Sequence, residues 1–162
     1  MPALSEPVPI VLIGLSTEMG RQVSQNLLPE YEVIRFIQSF PAAQADLPHL
    51  LAGREPPEPP TNDVGTHRYD GRPARAVLLG RAFTPDQAAA LREESLSRSS
   101  NSAGAEKHPP VAWVVGDPAK KPGGGGAAGP PPGYAGVVAG VAKEILGRWR
   151  EGGAAEDGIF LY

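Results

Sequence analysis

Gly14-Leu15-Ser16-Thr17-Glu18-Met19-Gly20-Arg21 is the stretch whose residue types and spacing suit the binding of an anion. A glycine at the end of a strand lets the backbone turn sharply. A helix starting near Thr17 would point its free N–H groups and the positive end of its dipole at whatever sits above that strand. Ser16 and Thr17 add hydroxyl donors, Arg21 adds a positive charge, and Gly20, in the first helical turn, lets the helix approach the sheet closely. The plainer alternative is a tight strand-to-helix connection that binds nothing, since two glycines at this spacing are a weak signal alone.

Other residues capable of chemistry are isolated from one another. Asp63, His67 and Asp70 share one segment and include ligand types a metal would accept, but Asp70-Gly71 reads as a polar turn, and His49 and His108 lie far off in sequence. No metal site is expected. Asp117 ends an apolar run, where an open α/β sheet binds ligands, and could serve as a base or simply cap the Asp117-Pro118 turn. The chain has no Gly-x-Ser-x-Gly nucleophile elbow and no phosphate-loop Lys-Ser/Thr pair. It contains no cysteine, which excludes disulfides, thiolate zinc sites and a cysteine nucleophile together.

The elements that would position these residues follow from composition and periodicity. At 162 residues the length suits one domain, residues 1–162, able to bury a core without staples. A net charge of −3 argues against nucleic acid or an anionic membrane as partner. The apolar run Ile10–Ile13 is too short for a signal-peptide core or a membrane span, so the expected location is cytoplasmic. Nineteen prolines and twenty glycines cluster, which predicts flexible connections near 54–73, 97–110 and 118–133. Gly123–Pro132, after the fourth strand, could act as a lid.

Between these patches strands and helices alternate. Val8–Gly14 reads as a strand covered on both faces. Thr17–Leu28 is an amphipathic helix, with Met19, Val23 and Leu27 on one face and Pro29 as its stop. Tyr31–Ile37 is a second strand, less uniformly buried because of Arg35. Pro41–Ala52 reads as two short turns divided near Pro48, with Asp46 capping the second. Ala74–Gly80 is a third strand. Thr84-Pro85-Asp86-Gln87 forms a capping box that opens a helix running to about Ser97. Val111–Asp117 is a fourth strand carrying Trp113 into the core. Tyr134–Arg150 is a helix with Tyr134, Val138, Val141, Ile145 and Trp149 on one face, and Gly158–Tyr162 a fifth strand. This alternation implies an α/β fold: one three-layer α/β/α domain around a five-stranded parallel sheet, with right-handed crossovers.

The first strand, turn and helix resemble the Rossmann-type short-chain dehydrogenase/reductases and the related NmrA-like redox sensors, whose turn reads Gly-x-x-x-Gly-x-Gly, often continuing Arg-x-Val/Ile-Ala. The outer glycines correspond to Gly14 and Gly20, and Arg21-Gln22-Val23 matches the continuation. Glu18 replaces the middle glycine, and a carboxylate there would repel a pyrophosphate unless it turned away. The resemblance implies a Rossmann-like strand order 3-2-1-4-5 and a dinucleotide. The flavodoxin-like order 2-1-3-4-5 is the alternative, since Ser16-Thr17-x-x-Gly20 loosely matches a flavodoxin phosphate loop without its last threonine. The whole chain also looks like a group of small uncharacterised fungal proteins with a Rossmann-like core.

In such folds an acid on the second strand holds a ribose 2′-hydroxyl, whereas an arginine accepts a 2′-phosphate. Around Arg35 to Ser39 there is no acid, which favours NADP; the bland reading of Arg35 is a strand-edge charge in solvent. The dehydrogenases' tyrosine–lysine pair is missing, because Val138 stands four residues after Tyr134 and Lys143 faces elsewhere. The expectation is thus a non-catalytic or sensor-type domain binding a dinucleotide or similar anion through Gly14, Ser16, Thr17, Gly20, Arg21 and Arg35. Its alternatives are a diverged NAD(P)-dependent reductase, a flavodoxin-like electron carrier, or an interaction module, homo-oligomeric or with a protein partner, that has lost its ligand.

Overall fold

A computed structural model of the chain describes residues 8–14, 17–28, 30–51, 55–56, 64–67, 74–80, 83–101, 111–116, 134–152 and 158–161. The elements run β1 (Val8–Ile13), α1 (Thr17–Leu27), β2 (Tyr31–Ile37), α2 (Phe40–Leu51), β3 (Ala76–Leu79), α3 (Pro85–Asn101), β4 (Ala112–Val115), α4 (Tyr134–Glu151) and β5 (Gly158–Leu161). The five strands form one parallel sheet in the order β2-β1-β3-β4-β5. The fold class is the expected α/β sandwich. The order is the flavodoxin-like one and not the dehydrogenase-type 3-2-1-4-5, because β3 pairs with β1 where that arrangement would put it beyond β2. Among the described residues no helix is long and apolar enough to cross a membrane.

Because side chains alternate along a strand, the sheet feeds two separate cores. Ile10, Leu12, Leu78, Ala112 and Val114 pack with Val23 and Leu27 of α1 and with Val138, Ala142, Leu146 and Trp149 of α4. Val11, Ile13, Val77, Leu79 and Trp113 pack on the other face with Leu47 and Leu50 of α2 and Leu91 of α3. The buried stripe of α4 thus runs through Ala142 and Leu146, while Val141 and Ile145, expected in its centre, are partly buried at its margin. Since β3→β4 and β4→β5 advance in the same direction but α3 and α4 lie on opposite faces, these two crossovers have opposite hands. The expectation that all crossovers are right-handed therefore fails for one of them.

Helix α2 is continuous through Pro48, where two short turns were expected. A proline inside a helix costs about 3 kcal/mol. Leu47, Leu50 and Leu51 are each almost fully buried, and each contributes roughly 1.5–3 kcal/mol, so tertiary packing outweighs the break. Helix α3 also extends past Ser97 to Asn101, into the connection expected near 97–110. Of the other expected connections, only residues 55–56 and 64–67 are described. The candidate lid, Gly123–Pro132, lies outside the described residues.

Strand β2 corrects the reading of Arg35. All seven residues of β2 are buried, including Glu32 and Arg35. The β1–β2 register slips between Ile10 and Val11, so that Val33 pairs with Ile10, Arg35 pairs with Val11, and Ile34 is the extra residue of a bulge. Arg35 therefore shares the face of Val11, toward α2. There its guanidinium meets Asp46 at 3.1 Å, with both side chains 4% exposed. Asp46 accordingly is an ion-pair partner in mid-helix, not a cap. The segment 64–67 covers the outer edge of β2 at this bulge: the N–H groups of Thr66 and His67 donate to the carbonyls of Val33 and Ile34 at 2.9 and 3.0 Å. It does so in a demanding conformation, with φ of 97° at Gly65 and 57° at His67.

Removing one partner of a buried ion pair strands the other charge, whereas replacing both with apolar groups can be neutral. Asp46→Ala is expected to lower unfolding free energy by about 3–5 kcal/mol in urea titrations. The double change Arg35→Met with Asp46→Leu is expected to recover most of that loss.

Candidate functional site

In an open parallel sheet, ligands bind at the carboxyl ends of the strands, where neighbouring connections leave in opposite directions. Here that point lies between β1 and β3, whose following helices, α1 and α3, cover opposite faces. Both strands end in glycine. The Gly80 N–H donates to the Ile13 carbonyl at 2.7 Å, and a Cβ on Gly80 would lie 3.7 Å from Gly14 Cα. β4 is likewise followed by a glycine, the buried Gly116. The described part of this edge is thus lined with backbone, and side chains enter only from its rim.

Where it is described, the rim is polar, with exposed Glu18 and Asp86 in the first turns of α1 and α3. The Gln38 side-chain amide donates to the Thr17 hydroxyl at 2.8 Å, tying the start of α1 to the end of β2. Ser39 caps α2, its hydroxyl accepting from the Ala42 N–H at 3.2 Å. At α3 the capping box forms as the sequence predicts. The Gln87 N–H donates to the Thr84 hydroxyl at 3.2 Å, and the Thr84 N–H donates to the Gln87 side-chain carbonyl at 2.9 Å. The first turns of α2 and α3 therefore satisfy donors from their own side chains, which reduces what either offers a ligand.

The candidate residues divide among different places. Gly14 and Thr17 stand at this edge, and Ser16 lies outside the described residues. Gly20 sits behind it: a Cβ there would meet the Phe36 ring at 2.7 Å, and one on Gly14 would meet the same ring at 3.4 Å. The expected close approach of α1 to the sheet is real, and its partner is Phe36 of β2. Glu18 is exposed and accepts a hydrogen bond from Gln22 at 3.2 Å, on the outside of the helix. Arg21 is exposed on the flank of α1, where it lines a cleft facing the β2 edge. Arg35 is committed to Asp46 beneath the sheet, away from solvent and away from the edge.

The remaining residues weighed for chemistry separate further. Lys143 pairs with Glu30 at 2.9 Å, while the side chain of Tyr134, and all of Asp63, Asp70, His108 and Asp117, lie outside the described residues. His49 is half-buried in the last turn of α2. Sequence reasoning missed Gly80, Gln38 and Phe36. The available signal was the recurrence of an apolar run closed by glycine at Gly14, Gly80 and Gly116.

No protein-family model matches the chain, and no solved structure matches it. A protein of Aspergillus oryzae described as kojic acid related protein 6 is 29% identical over 115 residues. The aligned stretch is 71% of this chain and 62% of that protein, so this chain spans less than two thirds of its relative's length.

The contact of Gly20 with Phe36 can be isolated. Adding a methyl at Gly20 overpacks the ring, at a typical cost of about 1–3 kcal/mol, while alanine's better helix propensity returns about 1 kcal/mol. Gly20→Ala is expected to destabilise the wild-type chain in thermal or urea unfolding. The same change is expected to be neutral or stabilising in a Phe36→Leu background, where the ring is gone.

Proposed function

We propose that this protein is a flavodoxin-like α/β domain that holds a small anionic ligand, a nucleotide or another phosphate-bearing molecule, in the crevice between the carboxyl ends of β1 and β3. It acts by binding, as a sensor or carrier, and not by turnover. The observation that carries this reading is the meeting of Gly14 and Gly80 at the point where the connections diverge. The Gly14 and Gly80 N–H groups are committed to the carbonyls of Ile37 and Ile13, so two strand ends without side chains serve by letting a ligand come close to the start of α1, whose first N–H groups have no partner within the helix. Thr17 supplies a hydroxyl at the same edge, already oriented by Gln38. Glu18, which would oppose an anion, is directed along the outside of α1 toward Gln22.

Two features bear on the ligand. In the 2-1-3-4-5 order the crevice suits a mononucleotide as well as a dinucleotide. The reason to prefer NADP rested on Arg35, and that guanidinium is neutralised by Asp46. NADP therefore stands as one member of the ligand class. The name of the Aspergillus oryzae relative connects that protein with kojic acid, and identifies no residue through which this chain would share the connection.

Thermal shift with NADPH, NADH, FMN, ATP and inorganic phosphate tests the proposal. A ligand at about one hundred times its dissociation constant stabilises by roughly 2.7 kcal/mol, a readily visible rise in Tm. At least one anion is expected to raise Tm in the wild type and to do so less in Gly80→Ala. That variant should fold, because the added methyl makes only ordinary contacts, of 3.5 Å and beyond, with Ile13 and Gly14. Flat curves across the panel would contradict ligand binding and leave an interaction module.

A further inference from the structure

The two edges of the sheet are finished differently. At β2 the 64–67 segment occupies the outer edge, with the Thr66 and His67 N–H groups donating to the carbonyls of Val33 and Ile34, and the strand bulges at Ile34. Both features keep an edge strand from pairing with another chain. β5, the other edge, has neither among the described residues. Its sequence Gly158-Ile159-Phe160-Leu161 carries no charge and no proline, and it follows the ladder of β4 without a register shift. All residues of β3 and β4 are buried, whereas Ile159 and Phe160 are only half-buried and Leu161 is exposed.

Helix α4 extends this apolar edge. Lys143 pairs with Glu30 at 2.9 Å, and the Arg150 guanidinium lies over the Tyr31 ring at 5.7 Å, so the side of α4 that bears these two residues faces α1 and β2. By helical periodicity Val137, Val141 and Ile145 form a row on the other side of the buried stripe, toward β5. Val141 and Ile145 are partly buried, and Val137 is 59% exposed. Phe160, paired with Val114, leaves β5 on this same face of the sheet. The row on α4 and Phe160 therefore border one open edge. Glu144 and Arg148, on the solvent side of the row, neutralise each other at 2.8 Å, so the flank presents no net charge.

We propose that this edge is the interface of a two-fold homodimer, in which β5 pairs antiparallel with β5 of a second copy and the two sheets join into one. Three observations favour a second copy as the occupant. A head-to-tail neighbour would have to offer its β2 edge, which the 64–67 segment already occupies, and this leaves the isologous contact between two β5 edges. A two-fold axis brings like against like, which suits an uncharged apolar strand and a flank whose charges cancel. The extent also fits. A stable interface takes about 800 Å² from each partner, and the edge of a four-residue strand spans only about 13 Å. Antiparallel pairing about an axis perpendicular to the sheet sets α4 beside its counterpart on the same face, and this 18-residue helix adds a flank about 27 Å long.

The test is the mass of the full chain by size-exclusion chromatography with light scattering over a range of concentrations, with amide hydrogen exchange measured on the same samples. The wild type is expected to move toward twice 16.9 kDa as concentration rises. Over the same range the amides of residues 159–161 are expected to exchange more slowly, and those of β2 to stay unchanged. The paired change Val137→Lys with Leu161→Lys is expected to hold the mass at that of the monomer, and because both residues are exposed the fold should survive. Leu28→Lys, the same change at an exposed apolar residue after α1, is expected to leave the dimer intact. Should the paired variant unfold, the mass and exchange pattern of the wild type decide. A wild type that stays monomeric at every concentration would overturn the proposal. So would a dimer that the paired lysines leave intact, that Leu28→Lys dissociates, or that forms without slower exchange in β5.

Discussion

The Phe36 ring is the contact on which the first half of the domain depends. It lies where a side chain on Gly20 would otherwise be, within ordinary contact distance of one on Gly14, and it is itself buried in the core beneath α1. β1 is flanked by β2 on one side and β3 on the other, so any displacement of α1 from β2 is felt at the strand on which the sheet is built. Gly20, one of the two glycines that look like a ligand-binding signature, is therefore required first by packing. Gly20 admits the ring, and Gly14 closes the strand above it.

Much of this was legible in the residues, and what was not has a physical reason. Continuous apolar runs such as Val8–Ile13 mark strands covered on both faces, and glycine and proline mark their ends, so the alternation of strands and helices could be read directly. Strand order could not, because periodicity reports which faces of an element are buried and not which neighbour buries them. The pair of Arg35 and Asp46 was hidden for a related reason. A lone charge in a strand suggests solvent, and only the bulge at Ile34 turns this one toward α2. Pro48 misled in the opposite sense, since a local helix breaker yielded to the burial of three leucines.

The site shows the same division. Gly14 and Thr17 were visible as a strand-to-helix turn, whereas Gly80 joins them only through the pairing of β3 with β1. Arg21 and Arg35, chosen for their charge, lie on the flank of α1 and beneath the sheet. A ligand at this edge, as proposed, would be held through backbone and hydroxyl groups, with little contribution from described charged side chains. That favours modest affinity and a ligand defined by shape and phosphate more than by ion pairing.

The central claim is that an anion sits between the ends of β1 and β3. It is tested most directly by following the backbone amides of Gly14, Thr17, Gly80 and Gly116 by NMR while FMN, NADPH or inorganic phosphate is added. The account predicts that the ligand that binds moves these signals together, with one saturation curve, and leaves those at the opposite end of the sheet unchanged. Signals that stay fixed at these positions with every anion, or shift only elsewhere on the domain, would contradict it.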